Sequence, residues 1–266
     1  MITAMSFRSV IASLVFLALS ALPSAAESAK DVLAPTGRLR VGVYQGSPTS
    51  MVTDPKGGQI HGLTYDLGRE FAKRLGVPVE YATFQRIADV IVAIKNDQVD
   101  FTLTNASPAR AQDVDFSQTL ISVELGYLVP PNSTLASEDQ FDRPEVRIGV
   151  TKGGTSERTL SSKFSKATIV PAESVKLGIE MLRRGELEVY ATNKAILYEM
   201  SDAIAGARIL DGSWGEEHMA LAIPKGRDAA MDTLKSFVHD VQASGLLVQM
   251  EQQAGLRGAV VPAETK

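Results

Sequence analysis

A fifteen-residue stretch occurs twice in this chain, ungapped and 88 positions apart: residues 91–105 read IVAIKNDQVDFTLTN and residues 179–193 read IEMLRRGELEVYATN. Each copy runs from the end of an amphipathic helix through a charged turn into an apolar strand, and each finishes on Thr-Asn. A helix leading into a parallel strand is half of a βαβ unit. In open α/β sheets ligands gather beyond the carboxyl ends of the strands. Two such units therefore predict two similar lobes, each presenting Thr-Asn to a cleft between them.

The flanking sequence extends the repeat. A strand over Leu39–Tyr44 has the apolar run of a buried parallel sheet. A loop with Gly46, Pro48, Pro55, Gly57 and Gly58 leads through Gly62 to a helix over 65–75, which Gly76 stops, and a strand follows over 79–82. The first repeat copy supplies a helix over 87–96 and a strand over 99–104. The order restarts with a strand over 146–150, a Gly153-Gly154 turn, a helix from Ser156, a strand over 168–171, a helix over 175–184 and a strand over 187–191. Extended runs over 124–129 and 219–223, closed by Pro130-Pro131 and Pro224, predict two crossings between lobes, with helices over 229–243 and 246–253 returning to the first. The central block is thus expected as an insertion: lobe 1 over 37–127 and 222–258, lobe 2 over 128–221. The expected fold is an α/β, two-lobed clamp with a hinge.

The first 26 residues carry Arg8, an apolar run over 10–22, and small residues at Ser24 and Ala26, the order of a secretory signal peptide cleaved after Ala26. Residues 28–36 read as a tether. The absence of cysteine excludes disulfides, thiolate metal sites and a cysteine nucleophile, and export without disulfides fits a periplasm. A net charge of −4 with both signs interleaved leaves no footprint for nucleic acid. His61, His218 and His239 lack zinc-ligand spacing. There is no P-loop and no Gly-x-Ser-x-Gly, and Gly153-Gly154 lacks the third glycine of a dinucleotide fingerprint. No cofactor, metal or catalytic residue is expected.

Six motifs run in one order over nearly all of the expected mature chain: LRVGV (39–43), GLTYDLGREFAKRLG (62–76), QVDF (98–101), SPARAQDVDFS (107–117), RIGVTKGGTSE (147–157) and ALAIPKG (220–226). This order resembles the periplasmic solute-binding proteins of polar amino-acid ABC transporters, family 3. The resemblance implies capture of a small carboxylated solute by hinge closure, delivery to an inner-membrane permease, and a monomer. It places Arg110 as the clamp on a ligand carboxylate, a role for which the planar guanidinium fork is suited. It places Gly154-Thr155-Ser156 as a second carboxylate contact, where free N–H groups at a helix start form an anion site. One hydroxyl there can cap the helix while another faces the cleft. Asn105 and Ser107 map to pocket positions.

The chain departs from that family pattern at Asn193, where amino-acid binders carry an aspartate that pairs with the α-ammonium. Asn keeps an acceptor and loses the charge, which implies a ligand whose amine is modified, neutral or absent. The loop over 46–50 also lacks the usual aromatic, leaving Tyr44, Phe84, Tyr190 and Trp214 as candidates for the ligand wall. The same clamp fold serves cyclohexadienyl dehydratases, and an acid for that chemistry would come from Asp211, Glu216 or Glu217. An accessory, ligand-sensing protein is the third class.

Overall fold

The computed structural model describes residues 28–54 and 57–260. The expected signal peptide and Pro55 lie outside the described residues.

The first lobe comprises α1 (Ala29–Leu33), β1 (Leu39–Tyr44), the two-residue strands β2 (Val52–Thr53) and β3 (Ile60–His61), α2 (Leu63–Leu75), β4 (Val79–Phe84), α3 (Ile87–Lys95) and β5 (Thr102–Asn105). The long strand β6 (Val114–Val129) leads to β7 (Arg147–Thr151), α4 (Thr155–Lys163), β8 (Thr168–Ala172), α5 (Val175–Arg183), β9 (Val189–Asn193), α6 (Lys194–Ala203) and β10 (Arg208–Ile209). The return is made by β11 (Gly215–Pro224), α7 (Met231–Ala243), α8 (Leu246–Gln253) and β12 (Ala259–Val260).

In the first lobe β1 pairs parallel with β4 and touches the strand leading into β5 through the parallel bridge Val41↔Phe101. β5 pairs antiparallel with β11, β11 with β6, and β6 with β9, which continues in parallel to β7 and β8. β6 and β11 are therefore the two strands shared by both lobes. Along β6, Leu120, Ile121 and Val123 pack in the first core, while Tyr127 and Val129 pack in the second. Met219 and Leu221 already belong to the first core, so β11 returns earlier than the sequence reading placed it.

The internal repeat reappears as geometry. The turn of the first copy puts Asp97 in the left-handed region (φ 54°) and that of the second puts Gly185 there (φ 69°). Three residues on, Asp100 and Glu188 each receive a backbone N–H and a two-pronged guanidinium. Arg40 donates to Asp100 through N, Nε and Nη2 at 3.0, 2.8 and 2.7 Å. Arg147 donates to Glu188 through the same three atoms at 2.7, 3.0 and 2.6 Å. Each clamp ties the first strand of a lobe to the turn that feeds its ligand-facing strand.

The two clamps differ in burial. Asp100 is fully buried and also receives Arg227 Nη1 at 2.9 Å, whereas the side chains of Arg147 and Glu188 are 42% and 32% exposed. Removing one partner of a buried pair costs about 3–5 kcal/mol, because the other charge is left desolvated. Exposed pairs contribute about 1 kcal/mol or less. Asp100→Ala is therefore expected to lower unfolding free energy by about 3–5 kcal/mol and Glu188→Ala by about 1 kcal/mol or less, measured by urea titration. Equal losses would mean that the Arg40–Asp100–Arg227 cluster contributes nothing special.

Two local expectations are corrected. Residues 28–36 are no simple tether: Ser28 caps α1 by accepting from Asp31 N–H at 3.2 Å, and Leu33 is fully buried in the first core. Its carbonyl accepts from Arg227 Nη1 at 3.3 Å, which fixes the segment to the turn before α7. The second is α6, absent from the sequence reading. Asn193 ends β9 and caps α6 by accepting from Ile196 N–H at 3.1 Å, so strand and helix meet without a loop.

Candidate ligand site

The carboxyl ends of β5 and β9 bring the two Thr-Asn pairs into one cavity between the lobes. Thr104, Asn105, Thr192 and Asn193 line it, with Tyr44, Ile87 and Arg110 from the first lobe, Thr151, Gly154, Thr155, Ser156 and Ile196 from the second, and Glu217 and Met219 from β11. The lobes lie closed on a space of ≈ 30 Å³. Asn105 Nδ2 donates across the cleft to Thr155 Oγ1 at 3.2 Å. Arg86 of the first lobe pairs with Glu173 of the second, which also receives Lys152 Nζ at 2.5 Å. Gly153 permits this approach, since a Cβ there would lie 2.5 Å from that of Ala88.

Arg110 opens a short 3₁₀ turn and is buried. Its Nη1 donates to Thr104 Oγ1 at 2.6 Å and to Asn105 O at 3.5 Å, while Nε and Nη2 have no partner among the described residues. Burial holds its pKa below the usual guanidinium range, and the nearby Glu217 charge works against that shift. A desolvated cation with one edge of its fork free is an anion receptor. Opposite it stands the start of α4, where Gly154 makes no side-chain cap and Thr155 and Ser156 face the cavity. The first N–H groups of a helix have no intrahelical acceptor, so this end also attracts negative charge.

Of the seven residues expected in the site, six line the cavity: Tyr44, Asn105, Arg110, Thr155, Ser156 and Asn193. Ser107 does not. Its hydroxyl accepts from Arg110 N–H at 3.4 Å, so it steadies the turn that carries the guanidinium. Tyr44 is buried beside Glu217 and Arg110, and burial is the first cause that raises its phenol pKa. The other proposed wall aromatics lie elsewhere. Phe84 packs against the cluster of Ile87 and Val90, and Tyr190 is wholly buried in the second lobe with its hydroxyl 3.0 Å from Thr151 Oγ1. Trp214 donates Nε1–H to Gly126 O at 3.0 Å and packs on Tyr127.

Glu217 is the residue the sequence reading left among loop carboxylates. It is 7% exposed and lines the cavity, whereas Asp211 and Glu216 are exposed. Asn193 Nδ2 donates to its Oε2 at 2.9 Å, and Oε1 has no partner among the described residues. Every residue of β11 from Met219 to Pro224 is buried and the strand carries two register shifts, so no alternation in the sequence sets Glu217 apart from Glu216.

The family model for bacterial extracellular solute-binding proteins, family 3, matches residues 39–255. The glutamine-binding protein GlnH of an ABC transporter from Bacillus subtilis is 23% identical over 226 residues, 82% of each chain. Among solved structures, an ancestral amino-acid-binding protein described as a precursor of cyclohexadienyl dehydratase superposes with a TM-score of 0.74 at 24% identity, covering 85% of this chain and 98% of that one. The solute receptor for L-cysteine of Neisseria gonorrhoeae gives 0.76 at 21% identity, covering 85% and 92%. With the family model spanning both lobes and the cavity between them, this chain belongs to the bacterial extracellular solute-binding proteins, family 3.

Proposed function

We propose that this protein is the periplasmic solute-binding component of an ABC importer, capturing a small carboxylated solute, an amino acid or a derivative of one, between its lobes. The observation that carries the reading is Arg110: a buried guanidinium with free donors, aimed at a cavity whose far wall is the start of α4. A space of ≈ 30 Å³ admits little more than a water, so a solute of amino-acid size needs the lobes further apart to enter and to sit. Hinge motion at β6 and β11 supplies that separation. Contacts such as Asn105 to Thr155 exist only with the lobes together, so a ligand touching both sides shifts the open–closed equilibrium toward closure. The closed form is then what a membrane permease reads.

Transport-type binding predicts that the solute is recovered unchanged. Amino acids, N-modified amino acids and plain carboxylates added to ligand-free protein at 100 times their dissociation constant are expected to add about 2.7 kcal/mol of stability, read as a shift in Tm. No shift with any carboxylate would refute the reading. Conversion of an added carboxylate into a new product would instead favour a dehydratase-like activity, for which Glu217 alone of the three candidate acids lines the cavity.

A further inference from the structure

We propose that Glu217, held by Asn193, is the anchor for a protonated amine, so that the site takes a zwitterion with ammonium and carboxylate close together; this rests on the carboxylate-binding role of Arg110 proposed above. Position 193 alone argued against a free amine, because an amide replaces the expected charge. The geometry supplies that charge from another strand.

Asn193 makes one hydrogen bond with a neighbour at each end of its amide. Its Oδ1 accepts from Ile196 N–H and its Nδ2 donates to Glu217, and these opposite requirements fix which end of the amide is which. Its carbonyl caps α6. Glu217 reaches over β6 from β11, while Asn193 reaches over the same strand from β9: Glu217 is in register with Val123 and Asn193 with Leu125. The contact leaves one carboxylate oxygen free toward the cavity.

Arg110 and Glu217 sense each other electrostatically, yet they form no ion pair among the described residues. Two opposite charges share one small buried cavity, each with unused hydrogen-bonding capacity. A ligand that carries one carboxylate and one ammonium matches both ends, whereas a ligand with a carboxylate alone leaves Glu217 buried and unpaired. That mismatch costs more than a missing contact, because a desolvated charge without a partner is penalised. Tyr44 lies beside both groups and closes the first-lobe side of the cavity. Asn193 acts here as a positioning residue for Glu217.

The test is calorimetric titration of wild type, Glu217→Gln and Arg110→Ala with the proteinogenic L-amino acids, each beside its α-hydroxy and N-acetyl counterpart. Wild type is expected to bind at least one free amino acid about ten- to a hundred-fold more tightly than either counterpart, the scale of one charge-assisted hydrogen bond. Glu217→Gln, which keeps shape and can still accept from Asn193, is expected to abolish that preference by weakening free amino-acid binding and tightening hydroxy-acid binding, since no buried charge is then left unpaired. A wild type that binds the hydroxy or N-acetyl acids as well as the free amino acids overturns the inference without any variant and leaves the carboxylate reading intact. Preference retained in Glu217→Gln overturns it also. Absence of binding to every carboxylate overturns both this inference and the reading beneath it.

Discussion

Replacing Arg110 by alanine is expected to weaken carboxylate binding about a hundred- to a thousand-fold while the ligand-free fold holds. Hydrogen bonds to charged groups contribute about 1.5–3 kcal/mol each, and a forked pair multiplies affinity accordingly at about 1.4 kcal/mol per decade. The free edge of the guanidinium, Nε and Nη2, is the edge that a carboxylate would take, because Nη1 is already committed to Thr104 and Asn105. Stability should respond differently. Burial is the first cause of the lowered Arg110 pKa, so the cation is a cost to the unliganded protein, and its removal relieves that cost while leaving a small void. The unfolding free energy of Arg110→Ala, read by urea titration, is expected to stay within about 1 kcal/mol of wild type. Arg110→Lys should fall between, since it keeps the charge and loses the fork. Unchanged affinity in Arg110→Ala would remove this residue from the site, and a large loss of stability would assign it to the core instead.

The second prediction reverses what position 193 suggested in isolation. Read from the sequence, Asn193→Asp restores the aspartate of amino-acid binders and should improve their affinity. In the structure it replaces an N–H donor, 2.9 Å from Glu217 Oε2, by a second carboxylate. Two buried carboxylates that close cannot both ionise, so the pair shares a proton and one carboxyl titrates far above its ordinary range. The expected results are no gain in amino-acid affinity near neutral pH and a loss of stability that depends on pH. A carboxyl whose folded pKa exceeds its unfolded value contributes stability that is complete below about pH 4 and is lost as pH rises through the raised value. The variant should approach wild type near pH 4 and lie about 2–3 kcal/mol below it at pH 8, the scale of a lost charge-assisted bond plus repulsion. Capping does not confuse the comparison, because aspartate caps a helix as well as asparagine does. Parallel stability curves for the two proteins, or improved amino-acid binding, would show that Asn193 does not support Glu217.

Most of the architecture was legible because it is written in local patterns. The matched stretches over 91–105 and 179–193 fold into equivalent helix–turn–strand units, and both Thr-Asn ends reach one cavity. β1 and α8 fall where apolar periodicity placed them. Most other expected elements differ by a few residues, as with β9, which begins at Val189 because the preceding buried residue, Leu187, packs without joining the ladder, but β6 starts at Val114 where an extended run was expected only over 124–129. Arg110, Thr155 and Ser156 were picked out by the resemblance to the solute-binding family, and all three line the cavity. Trp214 misled, since proximity to a crossing says nothing of which way the indole faces.

The sequence by itself determined the two lobes, the order of their elements and the twin strand ends, because helical and strand periods and turn residues act over a few positions. Only the tertiary structure decided the charge of the site. Whether Glu217 faces water or the cavity depends on where β11 begins its pleat, and a shift of one residue would reverse it. Whether Asn193 faces a ligand or holds that carboxylate depends on a partner 24 residues away that reaches it over β6. Register and partner are set by pairing among β11, β6 and β9, and that long-range choice is not encoded in the residues on either side of Asn193.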